Sequence, residues 1–298
     1  MVVRSLASLF VLCALAAAPL AGCSRGDSAP PVATVSFSTS KDKVPLGSPV
    51  ELTYRFDVAQ NATIADNYRV FVHVLDDRGT EMWNDDHDPP IPTSQWRPGQ
   101  LVQYTHMRFV PVFPYVGEAV VEVGLHRGDE RLPLQGPNPE DRDSATRQYR
   151  VGTLTILPSS ENIPFYFKSG WHPEEFAADN PTIGWQWTQK IATLMLTRNP
   201  RKDLTFYLSY SGRPDLFPEN PQQVTVYVGD QVVDTFRVTD NKQALRTIPI
   251  GAAQLGPADS VEVRIEVDKT FVPAKLPNAA GDTRELGIQV YHQFFEAR

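Results

Sequence analysis

From Thr34 onward, apolar and polar residues alternate with period two. The clearest run is Val50, Leu52, Tyr54, Phe56 and Val58, interleaved with Glu51, Thr53, Arg55 and Asp57. Successive side chains of a strand point to opposite faces, so this run predicts a half-buried antiparallel strand. Val35 and Phe37 against Ser36 and Ser38 predict a shorter strand before it. Val70 to Leu75 is apolar on both faces except at His73, which predicts a central strand ending in the turn Asp76-Asp77-Arg78-Gly79. Gln100 to Val110, Glu118 to Leu125 and Arg147 to Leu157 complete a set of about seven, with no useful helical repeat between them. The pattern predicts an immunoglobulin-like β-sandwich over residues 34–158, without the Cys–Trp–Cys signature of antibody domains.

Pro158-Ser159-Ser160-Glu161-Asn162-Ile163-Pro164 reads as a domain boundary, after which the alternation resumes. Leu204, Phe206, Leu208 and Tyr210 mark one strand face. Val224, Val226 and Val228 lead through Gly229-Asp230, a hairpin signal, into Val232 to Val238. Val261, Val263, Ile265 and Val267 alternate with Glu262, Arg264, Glu266 and Asp268, and Leu286, Ile288 and Val290 begin the last strand. With Ile183 to Thr188, Ile191 to Thr197 and Leu245 to Ile250, the count reaches about eight, which suits a jelly-roll-like β-sandwich over residues 159–298. The expected fold is all-β: two tandem antiparallel sandwiches, immunoglobulin-like and then jelly-roll-like.

The first 22 residues break the alternation. Arg4 is followed by an apolar stretch containing Leu6, Leu9, Phe10, Val11, Leu12 and Leu15, then by the small residues Ala16, Ala17 and Ala18. This is the form of a removable export signal, too short to span a bilayer. Its end, Leu20-Ala21-Gly22-Cys23, resembles the lipobox of bacterial lipoproteins. The resemblance implies cleavage before Cys23, acylation of that cysteine and a membrane anchor of two or three acyl chains. The cysteine inventory agrees: of the two cysteines, Cys13 leaves with the signal and Cys23 takes the lipid, so no disulfide is expected. Ser24 rather than Asp after the cysteine favours the outer membrane by analogy with the best-known Gram-negative sorting rule. Residues 23–33 read as a flexible tether whose ten residues after the cysteine reach about 35 Å at most.

Charge narrows the partners. The chain carries 28 basic and 35 acidic residues, a net charge of −7, and the signal removes one basic residue and no acidic one. A mildly acidic surface argues against nucleic acid and against an anionic membrane face. Catalytic patterns such as Gly-x-Ser-x-Gly, His-Glu-x-x-His and Cys-x-x-Cys do not occur. Ser38-x-x-Lys41 falls at a strand end without its companion motifs and is discounted.

Two loops carry candidate chemistry. Asp85, Asp86, His87 and Asp88 lie in a proline-stiffened loop that runs on to Trp96. Their oxygens are of the type that holds Ca²⁺, and His87 adds a softer donor. The plainer reading has these side chains bonding the loop's own backbone while Trp83 and Trp96 plug the sandwich end. His73, His106 and His126 fall on separate strands, and isolated strand histidines are usually packed or solvated. In the second loop Trp171, Glu174 and Glu175, with Gln186 beyond it, have the chemistry of sugar recognition: a ring for stacking, with carboxylates and an amide for hydroxyls. Trp185 and Trp187 share a strand face and are expected in the core.

Gly170-Trp171-x-Pro173-Glu174-Glu175, Trp185-x-Trp187-Thr188, Phe271-Val272-Pro273-Ala274 and Asp282-Thr283-Arg284-Glu285-Leu286-Gly287 together resemble a jelly-roll module. That module is found in bacterial cell-envelope proteins, including accessory domains of membrane glycan-assembly enzymes. The resemblance spans Phe165 to Phe294 and supplies no catalytic residue. The expected function is a non-catalytic, lipid-anchored envelope protein that binds a glycan or an envelope protein. The rivals are a polysaccharide hydrolase or lyase and a structural scaffold of an envelope machine; a shared fold does not separate them.

Overall fold

A computed structural model describes residues 29–298 except 114, 139–141, 144–145 and 278–280. The signal segment and Cys23 therefore lie outside the described residues. The protein is 52% strand and 6% helix, an all-β sandwich fold. Its first half contains β1 (Ala33–Thr39), β2 (Lys43–Pro45), β3 (Pro49–Val58), β4 (Arg69–Leu75), β5 (Glu81–Asn84), β6 (Leu101–Phe109), β7 (Gly117–Arg127), β8 (Glu130–Leu132), β9 (Leu134–Gln135), β10 (Arg142–Asp143) and β11 (Gln148–Leu157). One sheet runs β6-β3-β1-β9 and the other β10-β11-β7-β4-β5, with β2 on β11 and β8 on β7.

The alternation in β3 buries Leu52, Tyr54 and Phe56 against Val70, Val72 and Val74 of β4 and Val121, Val123 and Leu125 of β7, in one continuous core. β4 is apolar on both sides for a separate reason. Phe71 is paired with Gly124 of β7, where a Cβ would come within 2.2 Å of the ring, and the Arg131 guanidinium lies 4.6 Å above it. A bare backbone below and a cation above bury the outward-facing phenyl ring.

The second half contains β12 (Phe165–Trp171), β13 (Glu175–Phe176), β14 (Gly184–Leu196), β15 (Leu204–Ser211), β16 (Gln223–Val228), β17 (Gln231–Arg237), β18 (Ala244–Ile250), the single-turn helix α1 (Ala252–Leu255), β19 (Val261–Val267) and β20 (Gln289–Ala297). The strand order is β17-β16-β19-β14-β20-β15-β18, with β12 and β13 also on β14. The two segments expected as separate strands, Ile183 to Thr188 and Ile191 to Thr197, form the single strand β14. It pairs with β20 through Gln186 and Trp187, and with β19 through Ile191 to Leu196. The strand therefore passes from one face of the sandwich to the other. At this crossing Gly170 adopts φ +76°, and a Cβ there would sit 1.8 Å from the Ile191 carbonyl oxygen. Only glycine permits both the dihedral and the approach. The last strand begins at Gln289 rather than Leu286, because Leu286 is held in an isolated bridge with Phe271.

Among the described residues, no strand pairing joins the two halves. They touch through the Lys41–Glu296 ion pair, a stacked Phe109–His292 pair with centroids 4.6 Å apart, and a hydrogen bond from Asn162 Nδ2 to the Leu46 carbonyl.

Candidate functional site

The start of β14 builds a small pocket on the second sandwich. Trp187 is buried against Phe271 and Leu286 in a secondary core, and Trp185, two residues earlier, packs at the edge of that cluster. The Trp185 ring lies 6.1 Å from the ring of Tyr291. Tyr291 is the extra residue of a bulge in β20: Ser209 of β15 pairs with His292, and the next residue, Tyr210, pairs with Val290. Bulges re-aim a side chain that regular pairing would place elsewhere. The result is a cavity of about 260 Å³ lined by Phe167, Glu174, Trp185, Gln186, Val290, Tyr291 and Gln293. Ligand clefts usually start at about 300 Å³, so this one suits a single ring or the end of a chain.

Glu174 and Gln186 offer acceptors to the cavity, whereas the Tyr291 hydroxyl is engaged by Gln289 and Ser211. Among the described residues, Glu174 has no hydrogen-bond or ion-pair partner and is exposed. Gln186 donates through Nε2 to the His172 carbonyl at 3.1 Å, which leaves its amide oxygen to accept. The indole N–H of Trp185 is buried with no partner. A buried donor left unpaired costs about 1–3 kcal/mol; with under 1 Å² of exposed surface, this one meets a ligand only if the ring shifts. No lysine, arginine or histidine is among the described lining residues, and Glu174 is their one carboxylate. Such a set suits a neutral polyhydroxylated ligand and disfavours an anion.

The four residues selected from the sequence divide. Glu174 and Gln186 line the cavity. Glu175, on β13, accepts from Arg284 Nη1 at 2.6 Å. Arg284 also grips Asp282 through Nε and Nη2, and this charge-assisted pairing holds the Asp282 carboxyl down at about 2. Glu175 therefore ties β13 to the segment before the last strand. Trp171 is half-buried against the second core, with its N–H donating to the Thr193 carbonyl at 2.9 Å. It meets Phe167 edge-on at 4.9 Å, so its effect on the cavity passes through Phe167. Trp187 is core and Trp185 packs at its edge, as their shared strand face implies, and Trp185 also lines the pocket. The sharp bend of β14 and the bulge at Tyr291 leave its ring at the rim of the minor core.

The first-domain loop also divides. Asp85 is 3% exposed. Its carboxylate accepts from Tyr54 Oη at 2.8 Å, from His106 Nδ1 at 3.2 Å and from Arg108 Nε. Burial alone would raise its pKa, but the His106 bond, the Arg108 charge and the Tyr54 hydroxyl together hold it below the ordinary value. His87 is buried beside it. Nδ1 bonds the Asp85 carbonyl, Nε2 accepts from the Tyr104 hydroxyl at 2.7 Å, and burial lowers its pKa and keeps it neutral. Burial raises both Tyr54 and Tyr104, so each stays a donor. The other acids face elsewhere. Asp86 Oδ1 accepts from the Val72 amide at 2.9 Å, and exposed Asp88 reaches Arg69 at 3.5 Å. Trp96 is 5% exposed, its ring tilted against Phe56 with centroids 5.0 Å apart, and its N–H donates to the Ile91 carbonyl. The Asp85, Asp86 and Asp88 carboxylates do not converge, so the Ca²⁺ loop considered from the sequence is not assembled. What converges is Asp85 and His87 with His106 of β6.

No protein-family model matches the chain, and no curated protein matches it in sequence. Among solved structures, a β-glucuronidase of Bacteroides uniformis is 10% identical over 90% of this chain and 30% of its own length, with a TM-score of 0.31. The M60 catalytic domain with its CBM51 domains from Clostridium perfringens ZmpB is 9% identical over 84% and 34%, with a TM-score of 0.24. The sporulation control protein Spo0M of Bacillus subtilis is 11% identical over 74% and 91%, with a TM-score of 0.25. At these values the site has to be read from its own geometry.

Proposed function

We propose that this chain is a lipid-anchored, non-catalytic protein of the bacterial cell envelope that binds a neutral glycan in the Glu174–Trp185–Gln186–Tyr291 pocket. The observation that carries this reading is the coincidence, in one small cavity, of three aromatic rings with free amide and carboxylate acceptors. Aromatic faces take the C–H side of a sugar, and the polar groups take its hydroxyls. The anchor rests on the Leu20-Ala21-Gly22-Cys23 motif and places the protein, in this proposal, at the outer membrane.

Binding without hydrolysis is favoured over a glycosidase. Glycoside hydrolysis takes a pair of carboxyl groups about 5–9.5 Å apart, and Glu174 is the one carboxylate among the described lining residues. An envelope protein partner is the second reading, favoured by Phe176 and Ile183, which stand 55% and 43% exposed at the mouth of the β13–β14 hairpin. Titration of the full-length chain with neutral envelope polysaccharides and their component sugars tests the first reading. Trp185→Ala should weaken binding by about tenfold or more, the loss typical of an anchor residue. Wild-type protein that binds no glycan, or Trp185→Ala that binds as well as wild type, overturns it. For the anchor, Cys23→Ser should yield protein extractable without detergent; membrane retention of that variant removes the localisation.

A further inference from the structure

The cluster in the first sandwich is independent of the sugar pocket. We infer that Asp85, His87 and His106 form a binding site for a divalent transition-metal ion of the zinc class. One ligand atom from each of the three lies within 4.8 Å of the other two. Asp85 Oδ2 is 3.2 Å from His106 Nδ1 and 3.7 Å from His87 Nδ1. A tetrahedral ion with arms of about 2.0–2.1 Å separates its ligand atoms by about 3.3–3.4 Å, so the two spacings to Asp85 already match the cage to within about 0.4 Å, and the two histidine nitrogens, within 4.8 Å of each other, close the third. Two imidazoles and one carboxylate select a borderline metal. Ca²⁺, which takes about six to eight oxygens, is excluded by the same donors.

The surroundings fit a metal site as well as the donors do. Metal-bound carboxylates and histidines are normally oriented by outer hydrogen bonds. Here Tyr54 donates to the Asp85 oxygen at 2.8 Å, and Tyr104 bonds His87 Nε2 at 2.7 Å. For His87 Nδ1 to take the metal, its proton has to leave the Asp85 carbonyl and move to Nε2, where it donates to the Tyr104 hydroxyl. Access comes from a cleft of about 570 Å³ lined by Asn84, Asp85, Arg108 and Phe109 on one side and by Gln243 and His292 on the other.

Arg108 is the resident competitor. Its guanidinium holds Asp85 Oδ1 and approaches His106 Nδ1 at 3.3 Å, but its side chain is 41% exposed at the cleft. Metal entry at the carboxylate pushes this cation outward. The competition gives the inference a signature that a purely structural ion pair lacks: removing Arg108 should tighten metal binding.

The test uses tag-free full-length protein, stripped with chelator and titrated with Zn²⁺ by calorimetry and with Co²⁺ by visible absorption. The expected result is one ion per chain, a tetrahedral Co²⁺ spectrum and no uptake of Ca²⁺. His87→Ala and His106→Ala should each weaken Zn²⁺ binding by about 100-fold or more, beyond the roughly 10–100-fold that loss of an outer partner such as the Tyr104 hydroxyl costs. His172→Ala, on the other sandwich, should leave it unchanged. Arg108→Gln should strengthen it about tenfold, by removal of a unit charge held against the carboxylate. Melting curves in chelator identify any variant that fails to fold, and His106→Gln, at a half-buried position, replaces His106→Ala in that event. No stoichiometric uptake by the wild type, or uptake indifferent to both histidine substitutions, overturns the site. Weaker binding by Arg108→Gln overturns the competition.

Discussion

In the first sandwich the notable carboxylate, Asp85, is enclosed by a tyrosine, a histidine and an arginine; in the second, Glu174 stands in an open pocket with no partner. The difference follows from where each strand pattern sends polar residues. Tyr104, His106 and Arg108 alternate along β6, and Asp85 and His87 alternate just beyond β5, so two polar rows meet over the buried Tyr54 ring. Low local dielectric then makes every bond in the set strong and every missing partner costly. On the second sandwich, Glu174 and Gln186 reach the pocket beside the β13–β14 hairpin and the bulge at Tyr291. A polar cluster inside a core is a stability device first, whereas one at a strand irregularity is free to recognise.

This contrast can be broken by substitution. Asp85→Ala should have the largest effect, about 3 kcal/mol of stability, because it strands three donors that face one buried carboxylate; thermal and urea unfolding measure it. A loss under about 1 kcal/mol would mean the cluster is already hydrated. Trp171→Ala should cost about 2–3 kcal/mol of stability, somewhat less than a fully buried tryptophan, with a smaller effect on glycan affinity than Trp185→Ala. If Trp171→Ala instead leaves the melting curve unmoved and abolishes binding, the two tryptophans have been assigned the wrong way round. Glu174→Gln should change stability by no more than about 0.5 kcal/mol while weakening binding measurably by titration. Equal effects at Asp85 and Glu174 would erase the distinction between the two regions.

The smallest effect concerns acid. Asp282 is held at about 2 by Arg284, below its ordinary 3.8. A carboxylate with a depressed folded-state pKa contributes stability above the unfolded value and loses it as pH falls through the folded one. The second sandwich should therefore weaken as pH drops from about 4 toward about 2, and Arg284→Gln should shallow that slope. Identical acid-melting slopes for wild type and variant would place the pair outside the folding balance.

Strand content was legible wherever one face is buried, because period two is imposed by the core. β3 and β19 show it in full, with buried Val50, Leu52, Tyr54, Phe56 and Val58 in one and Val261, Val263, Ile265 and Val267 in the other. The bend of β14 was not legible, since Gln189 and Lys190 look like a polar turn between two strands. Tertiary pairing with both β19 and β20 keeps the backbone extended through them. The choice of Glu174 and Gln186 follows from residue type, whereas exchanging Trp171 for Trp185 needs the Tyr291 bulge, which leaves no mark on composition. The convergence of Asp85, His87 and His106 was within reach. His106 belongs to the alternating row Tyr104-x-His106-x-Arg108, which a search for single histidines passes over.

The strand that changes sheets also governs how the second sandwich can move. Two stacked sheets joined only by loops can slide or swing apart like the covers of an unbound book. Here β14 is stitched to β19 at one end and to β20 at the other, so its own covalent backbone serves as the spine. Breathing of the sandwich should start at the outermost strands, β17 and β18, where the Arg246–Asp234 ion pair is the tie to break, and reach β14 last. The slowest amide exchange in this half should accordingly fall on Ala192 to Leu196, deep inside the sandwich, while the Trp185–Gln186 end of the same strand exchanges sooner.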